Sequence, residues 1–525
     1  MTRSLKALLA AGLLGLVVLA LQACAPDSRT AVISPVPLTL ATAPPTNTPR
    51  PVPLLSQATA VTPVPEKTKV PCPEMVDGTV PLRYDITAAL DWTSRTVTAR
   101  QTVTFVNETG QTLQELVFNV DGNQTPGEFE FIGAKTSDGR PLDHAVLEEN
   151  HLTIPLPERL HAHCGVALTL EYTVTLPTMS GTAQPSGYRA YSARQLNLGL
   201  WMPLLASYSG GRGWVVPTPY TVGEQDALLA ADFSLDLSVS NAPSGLQLAA
   251  PGIVTPVSTS AWHVDLAQAR EITLSLSDQF QSLSTITESG ISVELYYYPV
   301  PGTTLDAPHH ALQTAAQAVE VYSRIFSPYP RERIVVVEGD FPDGMEFTGL
   351  VFVSEAWFRT WTGEPNDWLT IITAHEISHQ WWYALVGNDQ ASYPYLDEAL
   401  ATYSELFFFE NTYPELVDWW WQARIYDYGP GGFVDSQVYD YYSVREYINA
   451  VYLRGALLLD KIREEIGDEA FMGWLHTYLD TMEGDLATPA DFWGALPEAS
   501  YVTAAPVRGM YMKQPDVLSL RVEVP

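Results

Sequence analysis

The stretch that decides the fold is HEISH at residues 375–379, followed by DEALATY at residues 397–403. His375 and His379 are four residues apart, so on a helix they stand one turn above each other on the same face and can bind one metal ion. Glu398 follows at a distance that lets a second helix supply a third ligand. Three such ligands are typical of a catalytic zinc site. The sequence therefore predicts one Zn²⁺ per chain, bound by His375, His379 and Glu398.

Two glutamates near these ligands are candidates for supporting roles. Glu376 follows the first histidine and is the candidate general base, because a carboxylate beside a zinc-activated water can take its proton. Glu405 lies two helical turns after Glu398 on the same face, where it would either orient a zinc-bound histidine or stand exposed at the surface.

The alternative for HEISH is an ordinary helix packed among the aromatic residues at 381–383. With 10 histidines in 525 residues, a chance match followed by a suitable glutamate is rare, so we favour the metal site. The pattern predicts a metal helix that begins after Asn366 or Asp367 and stops at Gly387. A second helix is predicted over residues 396–409.

The spacing of the two histidines and the glutamate, with DEALATY around the glutamate, resembles the M1 family of gluzincin metallopeptidases, whose best-known members are zinc aminopeptidases. GMEF at residues 344–347 is similar to the family's Gly-x-Met-Glu-Asn signature. The resemblance implies that Glu346, together with Gly344 and Met345, binds the free amino group of a peptide substrate.

A third motif, YLRGA at residues 452–456, is similar to the family's Tyr-x-Lys-Gly-Ala segment. By that resemblance, the Tyr452 hydroxyl donates a hydrogen bond to the oxyanion of the reaction. Three positions depart from the family pattern: Phe347 replaces Asn, Asp397 stands where Asn is usual, and Ala399 stands where Gly is usual. None of them removes a ligand or the base, but they weaken the inference about which end of the substrate is recognised.

The resemblance implies zinc-dependent peptide-bond hydrolysis, with removal of N-terminal residues as the favoured activity. A zinc endopeptidase with an open cleft is an alternative, because little sequence follows Leu496 and a covering helical domain is not expected. A catalytically inactive, zinc-stabilised binding lipoprotein is a second alternative. The retained Glu376 and Tyr452 argue against it, since a binding module needs neither.

The fold class predicted is multidomain. Residues 71–280 show period-two alternation over 83–91, 96–106, 166–176 and 231–239, which indicates an all-β domain, and the family resemblance makes it a saddle-like one. Residues 281–500 mix strands and helices, as expected of an α+β, thermolysin-like peptidase domain. The tail at residues 501–525 shows no clear periodicity.

The N-terminal segment indicates export. Residues 1–23 combine a basic start with an apolar run that suits a signal peptide and is short for a spanning helix. The run ends in LQAC, which resembles the bacterial lipobox and makes Cys24 the candidate lipidation site; an ordinary secretory signal or an uncleaved anchor remains the alternative. Residues 24–70 are rich in Pro and Thr and predict an extended linker.

Cysteine usage and charge agree with this location. Cys72 and Cys164 form an even pair in an oxidising compartment, so we predict a disulfide, with two free thiols as the alternative. The formal net charge of −32 excludes nucleic acid as a favoured partner and leaves membrane contact to the lipid anchor. We therefore expect an extracytoplasmic protein, lipid-anchored to the cell membrane or secreted, that acts on peptides.

Overall fold

The computed structural model describes Cys72 and residues 81–179, 187–299 and 306–518. The predicted signal peptide at 1–23, Cys24, the linker at 24–70 and the last seven residues of the predicted tail lie outside the described residues. Within the described ranges, no helix combines the length and hydropathy that a membrane crossing requires.

Strands build the N-terminal part of the described residues. They are β1 Leu82–Asp91, β2 Thr96–Val106, β3 Leu113–Asn119, β4 Phe129–Thr136, β5 Val146–Glu148, β6 His151–Leu160, β7 Gly165–Thr175, β8 Leu196–Leu198, β9 Leu204–Leu205, β10 Ser207–Ser209, β11 Gly213–Val215, β12 Ala231–Ser240, β13 Gln247–Ala249, β14 Ile253–Ser258, β15 Ala261–Ala269 and β16 Leu274–Ser277. The largest sheet has the order β14-β15-β12-β1-β2-β7-β4, and the next has the order β5-β6-β3-β9. The four strands predicted from alternation are confirmed as β1, β2, β7 and β12.

A second, mixed sheet begins the peptidase part. Its elements are β17 Gln281–Ile286, β18 Ser292–Tyr297, α1 Ala307–Ile325, β19 Arg333–Gly339, β20 Gly344–Met345, β21 Leu350–Ser354, α2 Glu355–Thr360, α3 Trp368–Ser378, β22 Gly387–Asn388, α4 Glu398–Thr412, α5 Val417–Trp420, α6 Val444–Tyr447, α7 Arg454–Ile466, α8 Asp468–Met482, β23 Leu486–Ala487, α9 Pro489–Gly494, α10 Glu498–Thr503 and α11 Ala505–Tyr511. The sheet order is β17-β18-β19-β21-β20, with α1 packed against α3 and α4.

Single turns of other helix types connect these elements. The 3₁₀ turns are Asp121–Gln124, Gly187–Arg189, Pro394–Leu396, Pro414–Leu416, Tyr426–Tyr428 and Val438–Asp440. Two turns are π-helical: Trp421–Ile425 continues α5, and Ile448–Leu453 joins α6 to α7. Such turns interrupt α-helices most often at functional sites.

The metal helix is shorter than the sequence predicts. It begins as expected, because the Asp367 side chain accepts a hydrogen bond from the Leu369 amide at 3.0 Å. It ends at Ser378 and not at Gly387, which was wrongly predicted as its stop. After His379 the chain turns. The carbonyl oxygens of this turn accept hydrogen bonds from a side chain of the β domain instead of from the amides of a longer helix.

That side chain is Arg270, which is buried and donates only to main-chain carbonyls. Its acceptors, at 2.9–3.3 Å, are the carbonyl oxygens of Leu228, Tyr383, Ala384, Leu385, Gly484 and Asp485. The next residue, Glu271, accepts from the Thr348 amide at 2.6 Å and from the Tyr383 hydroxyl. Two consecutive residues of the β domain therefore hold both the turn after the metal helix and the segment that follows β20.

The predicted tail contains regular structure in its described part. Helix α10 and helix α11 pack against α7, and the Tyr511 carbonyl accepts from the Val434 amide at 3.0 Å. Burial of Val507 and Arg508 ties these helices to the peptidase core. The pattern was missed because the two helices have only 6 and 7 residues, too few for a helical period to be visible.

The structure joins Cys72 and Cys164 in a disulfide across a sequence separation of 92 residues. Cys164 is buried, and the bond ties the chain ahead of β1 to the turn between β6 and β7. In the chain-entropy model, a loop of this size stabilises the folded state by roughly 4–5 kcal/mol, and measured values are usually about 2–4 kcal/mol.

We expect Cys72→Ala to lower the free energy of unfolding by about 2–4 kcal/mol, because the unfolded chain regains the entropy of the open loop. Guanidinium unfolding of this variant, beside wild type with and without reducing agent, measures the effect. Reduced wild type should unfold at the same midpoint as the variant. Equal midpoints for oxidised wild type and Cys72→Ala would show that the bond does not stabilise the fold.

Candidate active site

The three predicted ligands meet in one place. The Nε2 atoms of His375 and His379 are 3.2 Å apart, and Oε2 of Glu398 lies 3.3 Å from the first and 3.6 Å from the second. A tetrahedral zinc ion with bonds of about 2.0–2.1 Å requires donor atoms about 3.3–3.4 Å apart. All three side chains are buried, so the donor set fits a single zinc ion.

Two short helices hold these ligands. The histidines lie in the last turn of α3 and at its C-cap, and Glu398 is the first residue of α4, which packs on α3. Asp397 caps α4 by accepting from the Glu398 amide at 2.8 Å. Burial and the neighbouring Glu398 raise the pKa of Asp397 well above its usual value. A neutral carboxyl at this position resembles the Asn that the family usually has.

Each histidine is fixed through its other ring nitrogen. Nδ1 of His375 lies 2.8 Å from Oε1 of Glu405, and Nδ1 of His379 lies 3.0 Å from the Trp382 carbonyl oxygen. When Nδ1 donates to these acceptors, Nε2 carries the free lone pair toward the metal position. Glu405 is therefore buried beside the zinc ligand His375, where it can orient that histidine, and is not exposed at the surface.

Glu405 is itself held by two side chains that the sequence analysis missed. Arg424 donates to both carboxylate oxygens at 2.9 Å, and the indole of Trp420 donates to Oε2 at 2.9 Å. Arg424 lies in the first of the two π-helical turns. No motif marks this arginine; the available signal was a cation within an aromatic, acidic stretch of the peptidase domain.

The candidate base packs against the edge of the sheet. A Cβ atom at Gly344 would lie 2.0 Å from Oε1 of Glu376, so only glycine allows the carboxylate this position. Burial, partly opposed by His375 and His379, raises the pKa of Glu376 to about 8. A bound dication would favour the carboxylate and lower that value. A pKa near neutrality suits a group that both takes and returns a proton.

Glu346 directly follows the edge strand β20 and is 4% exposed. Its Oε1 accepts from the Gln390 side chain at 3.0 Å. The following residue, Phe347, is turned away from the cavity: its ring packs edge-on against Tyr188 at 5.5 Å, and it fills the space beside Gly199. Phe347, which departs from the family motif, therefore anchors the edge strand in the hydrophobic core of the β domain.

Tyr452 lies in the second π-helical turn, and its hydroxyl faces the ligands. Its ring is parallel to that of His375 with centroids 6.0 Å apart. Burial and the nearby Glu398 raise the pKa of Tyr452 well above its usual value, so the phenol stays a donor. Helices α4 and α7 approach closely here, since a Cβ at Gly455 would lie 2.4 Å from that of Ala399.

One cavity of about 510 Å³ between the β domain and the peptidase domain is lined by the three ligands, the candidate base Glu376, Glu346 and Tyr452. The β domain contributes acidic side chains that the sequence analysis missed, among them Glu224 and Asp226. Tyr447, five residues before Tyr452, was also missed. Their signal was weak because they lie in a loop and a helix without a recognisable motif.

Comparison with known proteins agrees with this geometry. Residues 310–513 match the Peptidase family M1 domain. Human endoplasmic reticulum aminopeptidase 2 is 28% identical over 232 residues, which are 41% of this chain and 24% of that protein. Aminopeptidase N of Lactobacillus delbrueckii subsp. lactis is 25% identical over 257 residues, or 45% of this chain and 30% of that protein. The matched region thus spans between a quarter and a third of these relatives.

Among solved structures, the M1 zinc metallopeptidase of Deinococcus radiodurans matches with a TM-score of 0.59 at 19% identity, covering 82% of this chain and 94% of that one. This likeness confirms the predicted fold: a mostly-strand N-terminal domain followed by a largely helical C-terminal domain. Together the comparisons show that residues 310–513 are similar to the M1 peptidase domain and that the chain shares the fold of a two-domain M1 zinc metallopeptidase.

Zinc uptake should release protons. Burial disfavours the charged form of His375, but hydrogen bonds with Glu398 and Glu405 outweigh it and raise its pKa to about 9; the pKa of His379 is also raised. Below pH 9 the metal must displace these protons, so zinc affinity should fall as the pH is lowered. Calorimetric titration at pH 7 in two buffers of different ionisation enthalpy should show net release of protons on zinc binding. Identical heats in both buffers would contradict this expectation.

Glu405→Gln should weaken zinc binding by about 10–100-fold, because His375 loses its charged acceptor and Arg424 its partner. The matched control is Glu410→Gln on the same helix, whose carboxylate pairs with Arg463 at 3.0 Å away from the ligands. Chelator competition measures affinity, and thermal unfolding of the metal-free proteins separates loss of fold from loss of binding. Wild-type affinity in Glu405→Gln would exclude the orienting role.

Proposed function

We propose that this chain is an M1-type zinc aminopeptidase that removes N-terminal residues from peptides, with one zinc ion per chain. The observation that carries the proposal is the burial of Glu346 in the same cavity as the three ligands, the base and Tyr452. The Glu346 carboxylate accepts from the Gln390 side chain and can also accept a charge-assisted hydrogen bond from the terminal ammonium group of a peptide.

Side chains of the β domain line the cavity that holds Glu346, among them Tyr188, Gln124 and Asp121. We propose that they leave no room for substrate chain ahead of the N-terminal residue, which favours the exopeptidase over the endopeptidase. A similar fold, the Deinococcus radiodurans enzyme, was solved with a Tyr-Ser-Ala substrate, which supports a peptide as the ligand here.

The chain's own groups account for the chemistry. A bound zinc ion would polarise the scissile carbonyl and acidify the attacking water. Glu346 holds the substrate ammonium and so sets which bond is cleaved. Glu376 takes the proton of the water and returns it to the leaving amine. The Tyr452 hydroxyl donates to the developing oxyanion; a single donor of this kind contributes about 10²–10³ to turnover.

We also propose that the protein works outside the cytoplasm, anchored by a lipid on Cys24 or secreted. The disulfide between Cys72 and Cys164 supports an oxidising compartment, since such bonds are rare in reducing ones.

The activity is tested with aminoacyl-coumarin substrates beside N-acetylated peptides, using the zinc-loaded protein. We expect release from free-amine substrates only, because a blocked terminus offers Glu346 no charge. Glu376→Gln should lower turnover by at least about 10³-fold with zinc retained, and Tyr452→Phe by about 10²–10³.

Other outcomes separate the alternatives. Cleavage of the acetylated peptides would favour the endopeptidase. The absence of turnover on both substrate classes by a zinc-loaded, folded protein would favour the binding lipoprotein. Full activity in Glu376→Gln would remove that residue from the mechanism.

A further inference from the structure

Glu346 is followed at once by a tight turn over residues 347–350. The Leu350 amide donates to the Phe347 carbonyl at 3.2 Å, which closes the turn. Gly349, its third residue, has a φ of 73°, a conformation that glycine adopts without strain. Because Glu346 directly precedes this turn, the position of its carboxylate depends on how the turn is held.

The side-chain amide of Gln380 holds the turn. Its Nε2 donates to the Phe347 carbonyl at 3.1 Å, and its Oε1 accepts from the Gly349 amide at 2.8 Å. Gln380 is fully buried. A glutamine amide has both a donor and an acceptor, so it can pair with a main-chain carbonyl and a main-chain amide together. Since an unpaired buried polar group is costly, these two bonds fix the turn and Gln380 to each other.

Gln380 also belongs to the metal-binding segment. It directly follows the ligand His379, which caps α3. Its main-chain amide donates to the Ile377 carbonyl at 3.2 Å, within the last turn of that helix. Gln380 therefore joins the neighbour of a zinc ligand to the residues that follow Glu346.

The chain ahead of β20 is held by a second glutamine in the same manner. Gln195 of the β domain is buried, donates to the Glu338 carbonyl at 2.9 Å and accepts from the Asp340 amide at 3.0 Å. Glutamine amides thus hold the chain on both sides of the edge strand. Of the two, Gln380 is the one that lies next to a metal ligand.

The proposed reaction makes the distance between Glu346 and the metal ligands important. In a peptide, two bonds of about 1.5 Å each separate the terminal nitrogen from the first carbonyl carbon. The ammonium group has to reach Glu346 while this carbonyl reaches the metal position. The donor atoms of Glu346, Glu376 and His379 lie within 4.8 Å of one another, and a displacement of about 1 Å can lower a rate by about 10²-fold.

We infer that Gln380 is a positioning residue that sets the place of Glu346 relative to the metal ligands, and so selects the bond next to the terminal ammonium group. Gln380 is not among the residues that line the cavity, so it acts through the turn at residues 347–350. The inference rests on the proposed aminopeptidase function and deepens it by adding this residue.

The test compares two metal-binding inhibitors that differ only in an amino group, leucine hydroxamate and 4-methylpentanohydroxamate. Zinc-loaded wild type should bind the first about 10²-fold more tightly, because only its ammonium group forms a charged hydrogen bond with Glu346. In Gln380→Met, which keeps the length of the side chain without its amide, this ratio of dissociation constants should fall by about tenfold or more. Calorimetry measures both constants, and chelator competition should show an unchanged zinc affinity.

A second variant and a matched control complete the experiment. Gln380→Glu keeps an acceptor for the Gly349 amide but loses the donor to the Phe347 carbonyl, so it should also lower the ratio, and it carries the test if Gln380→Met does not fold. The control is Gln101→Met. Gln101 is equally buried, donates to the Pro203 carbonyl at 2.7 Å and accepts from the Tyr172 hydroxyl at 2.8 Å. Its replacement should leave the ratio unchanged.

The failures are distinguishable. An unchanged ratio in the folded Gln380 variants, or an equal loss of affinity for both hydroxamates, overturns the positioning role and leaves the aminopeptidase intact. A fall of the same size in Gln101→Met also overturns it, because any lost buried amide would then have this effect. Equal affinity of wild type for the two hydroxamates overturns the ammonium-binding role of Glu346 in the proposed function, and this inference with it.

Discussion

The buried guanidinium of Arg270 is the interaction on which the active-site geometry depends. Its carbonyl acceptors lie in the β domain, in the turn after the metal helix and in the loop before β23. Burial lowers its pKa to about 10, which still leaves it charged at neutral pH. Glu271 extends the same junction to the segment behind Glu346. The peptidase site is thus assembled against the β domain.

The site residues and strands whose positions follow from local spacing could be predicted from the sequence. The ligands His375 and His379 share one helix, Glu398 opens the next, and the strand pattern of the β domain follows from alternation alone. What sequence reasoning missed depends on contacts distant in sequence. The end of α3 is set by Arg270, more than 100 residues earlier. Glu224 reaches the cavity on a loop, and Arg424 on a π-helical turn, neither of which has a periodic signature.

The three departures from the family motif have local explanations. Burial and Glu398 raise the pKa of Asp397, and its Oδ1 caps α4 as the side-chain oxygen of an Asn would. Ala399 faces Gly455, and the two small residues share the space at the helix crossing. At position 347 the polar Asn of the family is replaced by Phe347, whose apolar contacts fix the edge strand. The pattern is therefore altered around the reacting groups without a change in the donors that reach them.

The π-helical turn at Ile448–Leu453 sets the rotational phase of the long helix that carries Tyr452. A π turn holds one more residue than an α turn, and each residue of an α-helix advances the side-chain direction by about 100°. Loss of Leu453, which lies between Tyr452 and α7, would leave a continuous helix yet rotate the Tyr452 hydroxyl away from the ligands. A single deletion could in this way remove the proposed oxyanion donor while the fold and the metal ligands persist.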